Sequence, residues 1–225
     1  MRYERILMDI EVQRDFFAPG GSCYSPAAAE CAERIYRLFR WAARYNVPVI
    51  STVLRVRPRE HGPLAAVPHC VEGTRGEQKM LRTVLPWRID LGLRSSTDVP
   101  VDLFENYQQA IFEKRRTDVF GHAAADRLIC DIEAATFVVC GAGLAHGVFE
   151  AAFGLRKRGF GVVVATDAVL DLGSGYEPTA QRRMEEKGVL FAPSDQIVRV
   201  SPRRLPDYLR RRLAGSARSP SEATA

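Results

Sequence analysis

TFVVCGAGLAHGVFEAAF, residues 136–153, is the stretch that decides the fold. Its apolar run Phe137–Val139 predicts a buried parallel strand. Two glycines interrupt that run, and residues 145–158 then have the composition of a helix. A strand-to-helix turn directs backbone N–H groups toward the start of the helix, where they can bind an anion or an oxyanion. Many α/β hydrolytic enzymes place a nucleophile at such a turn, whereas this chain has Gly147 there.

Segments typical of strands and helices alternate along the whole chain. The predicted strands are residues 5–10, 47–53, 109–113, 136–140, 161–166 and 189–192, and the predicted helices are residues 26–45, 123–131, 145–158 and 179–187. Alternation of this kind implies right-handed crossovers and a parallel sheet covered by helices on both faces. We therefore predict a three-layer, doubly wound α/β domain over residues 1–200, with a six-stranded, mainly parallel sheet. Residues 55–100 are rich in Pro, Gly and Arg and predict a long irregular segment that builds a site or an interface.

Length and composition limit the protein classes that the chain fits. Its 225 residues, 46% of them hydrophobic, suffice for one α/β domain with a large core. No apolar run reaches the roughly 18 residues that a transmembrane helix needs, and the charged N-terminus does not resemble a signal peptide. Five scattered cysteines without a Cys-x-x-Cys pair indicate free thiols in a reducing cytoplasm. We expect a cytoplasmic protein with no contact to a membrane.

The formal charge of +5 comes largely from arginines near the C-terminus. The body of the chain shows no basic face with aromatic or groove-fitting elements, so we expect no nucleic-acid partner. Residues 201–214 predict a short basic helix, interpreted as a solvated or oligomer-docking element. The tail at residues 215–225 has the composition of a disordered segment.

Three of the predicted strands are followed by residues that are candidates for a site. Glu11 follows the first strand, Lys114 follows the third, and the glycine-rich turn with Gly147 follows the fourth. Because ligands bind beyond the carboxyl ends of the strands in a doubly wound sheet, we expect these three positions to line one cavity.

Four motifs around these positions resemble a known family. They are IEVQRDFFAPGGS at 10–22, PHCVEGTRGEQ at 68–78, EKRRTDVF at 113–120, and CGAGLAHGVFEAAFGLRKRGFGVVVATDAV at 140–169. In sequence and order they resemble the isochorismatase-like superfamily, which includes cysteine hydrolases such as the nicotinamidases. The resemblance covers residues 5–200 and implies the α/β fold predicted above.

The resemblance implies a catalytic set that this chain has altered. The family uses Asp, Lys and Cys, which match Glu11, Lys114 and Gly147 here. Thiolate attack needs a sulfur atom that glycine lacks, so a thiol amidase is not expected. Cys70 and Cys140 do not match the nucleophile position and are predicted to be buried structural thiols.

The resemblance also implies residues that bind substrate. These positions are Gln13, Phe16, Gly143 and His146. Gln13 is expected to orient Glu11, and Phe16 either lines the pocket or belongs to the core. The amides of Gly143 and Gly147 match the family's oxyanion hole, and in the family the peptide bond between positions 142 and 143 is cis. His146 lies either at the pocket mouth or on the surface.

No metal or other cofactor is expected. The nicotinamidase branch binds metal through an Asp-x-His sequence, which is replaced here by Leu54-Arg55-Val56. Leucine and valine have no donor atoms, and His61 and His69 alone rarely make a site. We interpret His69 as a loop histidine that is hydrogen-bonded to the backbone.

Two functions remain open at this point. The isochorismatases also have no cysteine at this turn and hydrolyse a vinyl ether with a carboxylate as proton donor. The resemblance thus implies acid/base hydrolysis of a small cyclic or carboxylate-bearing metabolite, with Glu11 as donor and Lys114 binding the substrate carboxylates. The alternative is a catalytically silent relative that binds a small molecule or acts as an oligomeric interaction module. In either case the family resemblance implies a homo-oligomer, with residues 55–100 as a candidate interface.

Overall fold

The computed structural model describes residues 2–60, 67–93 and 96–199. The strands are β1 (Arg2–Ile10), β2 (Val49–Leu54), β3 (Arg88–Gly92), β4 (Gln109–Lys114), β5 (Glu133–Ala142), β6 (Gly161–Leu170) and β7 (Leu190–Ala192). The helices are α1 (Arg14–Phe17), α2 (Ala27–Tyr45), α3 (Leu103–Asn106), α4 (Ala123–Asp131), α5 (Phe149–Lys157), α6 (Glu177–Glu186) and α7 (Ser194–Val198). His61, the predicted basic helix at 201–214 and the predicted tail at 215–225 lie outside the described residues.

The strands form one parallel sheet in the order β3–β4–β2–β1–β5–β6–β7. Strand β1 lies in the centre, with β2 on one side and β5 on the other. Strands β2, β3 and β4 thus lie on one side of β1, and the later strands β5, β6 and β7 lie on the other. Doubly wound folds bind ligands beside the point where the strand order reverses in this way. Ile10 at the end of β1 pairs with Gly141 of β5, so the segments that follow these two strands are neighbours.

The predicted α/β fold is confirmed, but the predicted number of strands is wrong. Strand β3 makes seven and lies within residues 55–100, which were predicted to be irregular. It is a short edge strand of sequence RIDLG whose residues are only partly buried. Because it pairs only with β4, it needs no apolar run and leaves no local signal of a buried strand.

Helices cover both faces of the sheet and create two hydrophobic clusters. Strand β1 alternates between them, since Leu7 packs with the α2 side while Ile6 and Met8 pack with the α4 and α5 side. Phe39 of α2 and Phe137 of β5 are among the largest fully buried side chains in the two clusters. Burial of such side chains stabilises the fold by about 1.5–3 kcal/mol each. These clusters fix the packing of the helices against the sheet.

Within the described ranges, no helix is both long and apolar enough to cross a membrane.

Candidate active site

Glu11 occupies a strained position directly after β1. Its φ of 53° lies in the left-handed region, which costs a residue with a side chain roughly 1 kcal/mol or more. The strain is held by a hydrogen bond from the Glu11 N–H to the carbonyl of Thr52, 3.1 Å away on the neighbouring strand. Glu11 is only 3% exposed. Backbone strain of this kind is typical of positions where a side chain must be aimed precisely.

Lys114 ends β4 and neutralises Glu11. Its ammonium group donates to Glu11 Oε1, to the carbonyl of Thr117 at 2.7 Å and to the carbonyl of Arg116 at 3.1 Å. Lys114 is 3% exposed, so the ion pair is buried on both sides. All three ammonium protons have acceptors, and Lys114 therefore fixes the loop at 115–117 as well as the carboxylate.

Gly147 lies against the same carboxylate. It belongs to a kinked turn, Leu144–Val148, that joins β5 to α5. A Cβ atom at this position would lie 2.8 Å from Ile10 Cγ2 and 3.0 Å from Glu11 Oε1. The structure thus brings Glu11, Lys114 and Gly147 together, as the sequence predicted, and the longer side chain of glutamate occupies the space that a side chain at 147 would need.

A cavity of about 810 Å³ opens beside this cluster. Its wall is formed by Leu93, Glu113, Lys114, Arg115, Arg116, Thr117, Asp118, Gly121, His122, Ala123 and Glu150. Lys114 is shared between the cluster and the cavity, whereas Glu11 and Gly147 do not belong to the wall among the residues that the structure describes. Within the described residues, this cavity therefore meets the three positions at Lys114 alone, and the expectation that they line one cavity stays a prediction.

The turn after β5 differs from the expected oxyanion hole. The N–H of Gly143 donates to the carbonyl of Leu170 at 2.9 Å and is not free to bind an oxyanion. The peptide bond between Ala142 and Gly143 is trans, unlike the family bond. His146 is half-buried rather than on the surface, and its Nε2 atom is buried with no hydrogen-bond partner in the described part of the chain.

Gln13 and Phe16 have structural roles. The Gln13 side chain donates to the carbonyls of Leu54 and Glu77, both at 2.8 Å, and accepts from the Leu54 N–H at 2.7 Å. It makes no side-chain bond to Glu11, so the expected orienting role is wrong. Phe16 is fully buried in the α2-side cluster, with its ring centroid 5.7 Å from that of His69. These contacts favour the core interpretation of Phe16.

Comparison with known proteins decides the family. The Isochorismatase domain model matches residues 5–196, which is most of the chain. The chain belongs to the isochorismatase family. No curated protein matches it in sequence.

Solved structures show the same fold at low identity. A nicotinamidase from Bacillus subtilis superposes with a TM-score of 0.65 at 19% identity, covering 84% of this chain and 99% of that one. The N-carbamoylsarcosine amidase from Thermoplasma acidophilum gives 0.64 at 16% identity, covering 87% and 98%. An isochorismatase family protein from Desulfovibrio vulgaris gives 0.65 at 20% identity, covering 87% and 97%. At these identities the likeness establishes the fold alone.

The cysteines of this isochorismatase-family chain offer no reactive thiol near Glu11. Cys70 and Cys140 are fully buried, as predicted. Burial raises the pKa of the Cys70 thiol, and Glu11 and Asp15 raise it further, while Lys114 opposes them weakly. Burial also raises the pKa of Cys140. Thiols whose pKa is raised stay protonated and are poor nucleophiles.

The histidine-cysteine motif at 68–78 is clamped onto α1 by Asp15, a residue that the sequence analysis did not single out. The Asp15 carboxylate accepts the N–H groups of Cys70 at 2.6 Å and Ser22 at 3.1 Å. A Cβ atom on Gly76 would overlap that carboxylate, which explains the glycine. His69 Nδ1 lies 2.7 Å from the Val67 carbonyl, which agrees with its interpretation as a backbone-bonded loop histidine.

A second buried ion pair joins Asp9 of β1 to Lys79. Ser51 also donates to Asp9, and Gln109 donates to the Ser51 hydroxyl at 2.7 Å. Burial raises the pKa of Asp9, and Lys79 opposes that rise. A lone aspartate inside an apolar strand gives no sequence signal for its partner, because Lys79 lies 70 residues away.

Clusters of metal-ligating side chains are a separate question from the thiols. Across the described ranges, no set of three or more His, Cys, Asp or Glu residues could hold a metal ion. At the position of the family's metal motif, Arg55 instead forms salt bridges with Glu77 and Glu113, each at 2.5 Å. The residues present do not fit a metal, because a guanidinium cannot coordinate a cation.

Proposed function

We propose that this isochorismatase-family protein is a hydrolase that works without a thiol and acts by acid/base chemistry on a small cyclic or carboxylate-bearing metabolite. The observation that carries the proposal is the position of Glu11, whose carboxylate fills the space beside Gly147 and holds Lys114 at the wall of a cavity of about 810 Å³. A cavity of this volume suits a small-molecule ligand.

The crowding at position 147 argues against thiol chemistry. A side chain there would meet Ile10 and Glu11 at distances that real Cβ atoms rarely show. Glu11→Asp removes one methylene and withdraws the carboxylate, so the double variant Glu11→Asp/Gly147→Cys has more room for sulfur than Gly147→Cys alone. Amidase turnover of nicotinamide by the double variant but not by either single variant would support this account. Amidase turnover by the wild-type protein would refute it.

Arg116 is the group that we assign to the substrate carboxylate. It is an exposed residue of the cavity wall and forms no salt bridge within the described residues. By contrast, Arg115 in the same wall is paired with Glu72 at 2.9 Å. Lys114 fixes the carbonyl of Arg116, so the guanidinium projects from an anchored backbone. A planar guanidinium matches a carboxylate with two parallel hydrogen bonds.

Turnover of carboxylate-bearing enol ethers, with isochorismate as the first compound, tests the proposal. Arg116→Ala is expected to raise KM by about 10-fold or more, since a charge-assisted hydrogen bond contributes about 1.5–3 kcal/mol. Arg182→Ala, which removes an exposed arginine on α6, is the matched control and should leave KM unchanged. If the folded wild-type protein turns over none of the carboxylate-bearing enol ethers, the proposal is refuted.

The second candidate is a catalytically silent protein that binds a small molecule. It is favoured by the Lys114 ammonium, which has no proton left for a substrate. A metabolite that raises the melting temperature without being consumed would support this candidate. A homo-oligomer and a cytoplasmic location stay predictions. The exposed side chains of Leu81 and Trp87 favour residues 55–100 as an interface, which light scattering of the wild type and a Trp87→Arg variant would test.

A further inference from the structure

We propose that Glu150 is the proton donor of the cavity. This inference rests on the proposed function and gives the donor role to a residue of α5 in place of Glu11. Glu11 and Lys114 then become positioning residues, because their charges neutralise each other behind the cavity wall.

Glu150 lies where a donor would contact a bound substrate. It belongs to the first turn of α5, three residues after Gly147, and forms part of the cavity wall with Lys114 and Arg116. The Oε2 atom of the Glu150 carboxyl is buried and has no hydrogen-bond partner among the described residues. Because the structure gives this oxygen no donor that would stabilise a negative charge, Glu150 is a member of the cavity wall that favours the neutral acid.

The surroundings of Glu150 favour its protonated form. Burial raises the pKa of the Glu150 carboxyl most, and the negative charges of Asp118 and Glu11 raise it further. The hydrogen bond from Thr117 and the charge of Lys114 oppose the rise, and the net direction is upward. A carboxyl group with a raised pKa keeps its proton closer to neutral pH and can deliver it to a substrate.

Glu113 shows that not every carboxyl in this wall is suited to the role. Arg55 holds its Oε1 atom at 2.5 Å in a salt bridge, so that oxygen is already engaged. Asp118 is likewise engaged, since its Oδ1 accepts the N–H of Phe120 at 2.9 Å. Among the carboxyl groups of the described wall, Glu150 is the one that combines burial with an unpaired oxygen.

The reaction step is a balanced hydrolysis. The Glu150 proton passes to the terminal carbon of the enol ether, and the C=C bond supplies the electron pair of the new C–H bond. The ether carbon is left as an oxocarbenium ion, water adds to it, and one water proton passes to the Glu150 carboxylate. The resulting hemiketal collapses: the bond between its carbon and the leaving oxygen breaks with the electron pair on that oxygen, which takes the proton of the new hydroxyl group. One substrate and one water thus yield an alcohol and a ketone, and Glu150 is restored.

Kinetics of Glu150→Gln on an active substrate test the role. The variant keeps the size of the side chain but not its acidic proton, so kcat should fall about 100-fold or more while KM changes little. Wild-type kcat should decline as pH rises through the Glu150 pKa, since the protonated form is the donor, and the residual rate of the variant should not show that decline. Glu150→Asp should restore part of kcat. Glu186→Gln on exposed α6 is the control.

A carbon-13 NMR titration of the glutamate carboxyl groups provides a readout that needs no turnover. One carboxyl signal should titrate with a pKa above the ordinary glutamate value of about 4.3, and this signal should be missing from the spectrum of Glu150→Gln. A Glu150 signal at or below that value overturns the inference. Unchanged kcat in Glu150→Gln, with an active wild type, overturns the donor role and leaves the proposed function intact. A folded wild type without any turnover overturns both.

Discussion

The buried pair of Glu11 and Lys114 makes a quantitative prediction about stability. Lys114→Met removes the charge that compensates the Glu11 carboxylate, although both side chains are almost fully buried. Removing one partner of a buried ion pair costs about 3–5 kcal/mol. The carbonyls of Arg116 and Thr117 also lose a donor, but both bonds are only partly buried and water can replace it. We therefore expect Lys114→Met to destabilise the protein by about 4 kcal/mol.

Urea unfolding at pH 7 measures this change. With a slope of about 2 kcal/mol per molar, the midpoint should fall by about 2 M. The double variant Glu11→Gln/Lys114→Met removes both charges, so it should be more stable than Lys114→Met alone. A loss below about 1 kcal/mol for Lys114→Met, or single effects that add within about 0.5 kcal/mol, would show that the two groups are not a coupled buried pair.

Three further predictions concern other parts of the structure. Gly76→Ala should destabilise the protein by about 2 kcal/mol or more in urea unfolding, because the added methyl group overlaps the Asp15 carboxylate. Although burial opposes the shift, hydrogen bonds lower the pKa of Glu177 to about 2. The ionised Glu177 carboxylate therefore contributes fully to the folding stability above a pH of about 4.3, its pKa in the unfolded chain, and this contribution is lost as the pH falls toward 2. In acid unfolding, Glu177→Gln should accordingly lose less stability over that range. A thiol reagent should modify exposed Cys130 in the native protein and leave Cys140 unmodified until it unfolds, since Cys140 is fully buried with a raised pKa. If Glu177→Gln loses as much stability as the wild type over that pH range, or if Cys140 is modified rapidly in the native protein, these accounts are contradicted.

The sequence predicted those features that local patterns encode. The apolar runs that became β1, β2, β4 and β5 mark strands that are buried on both sides, and such strands need continuous apolar residues. The edge strand β3 escaped prediction because half of its surface faces solvent and its pairing depends on β4. The buried strands were therefore predicted, whereas the partly exposed edge strand was missed and the predicted number of strands was one too few.

The candidate site was predicted only in part. Parallel strands place their carboxyl ends at one edge of the sheet, so the convergence of Glu11, Lys114 and Gly147 could be predicted from their order. The roles expected of Gln13 and Gly143 were wrong because each is used by a hydrogen bond to a distant backbone group, at Leu54 and Leu170. No sequence pattern records which neighbour a polar group will find across the fold.

By itself the sequence determined the α/β class, the family motifs and the absence of sulfur at position 147, because each of these depends on residue identity and local periodicity. The tertiary structure decided where the side chains point. It set Glu11 in the left-handed region and paired it with a lysine 103 residues away. It also set the Glu11 carboxylate against Gly147 and placed Glu150 in the cavity wall. The direction and ionisation of a side chain depend on neighbours that only the folded chain brings together.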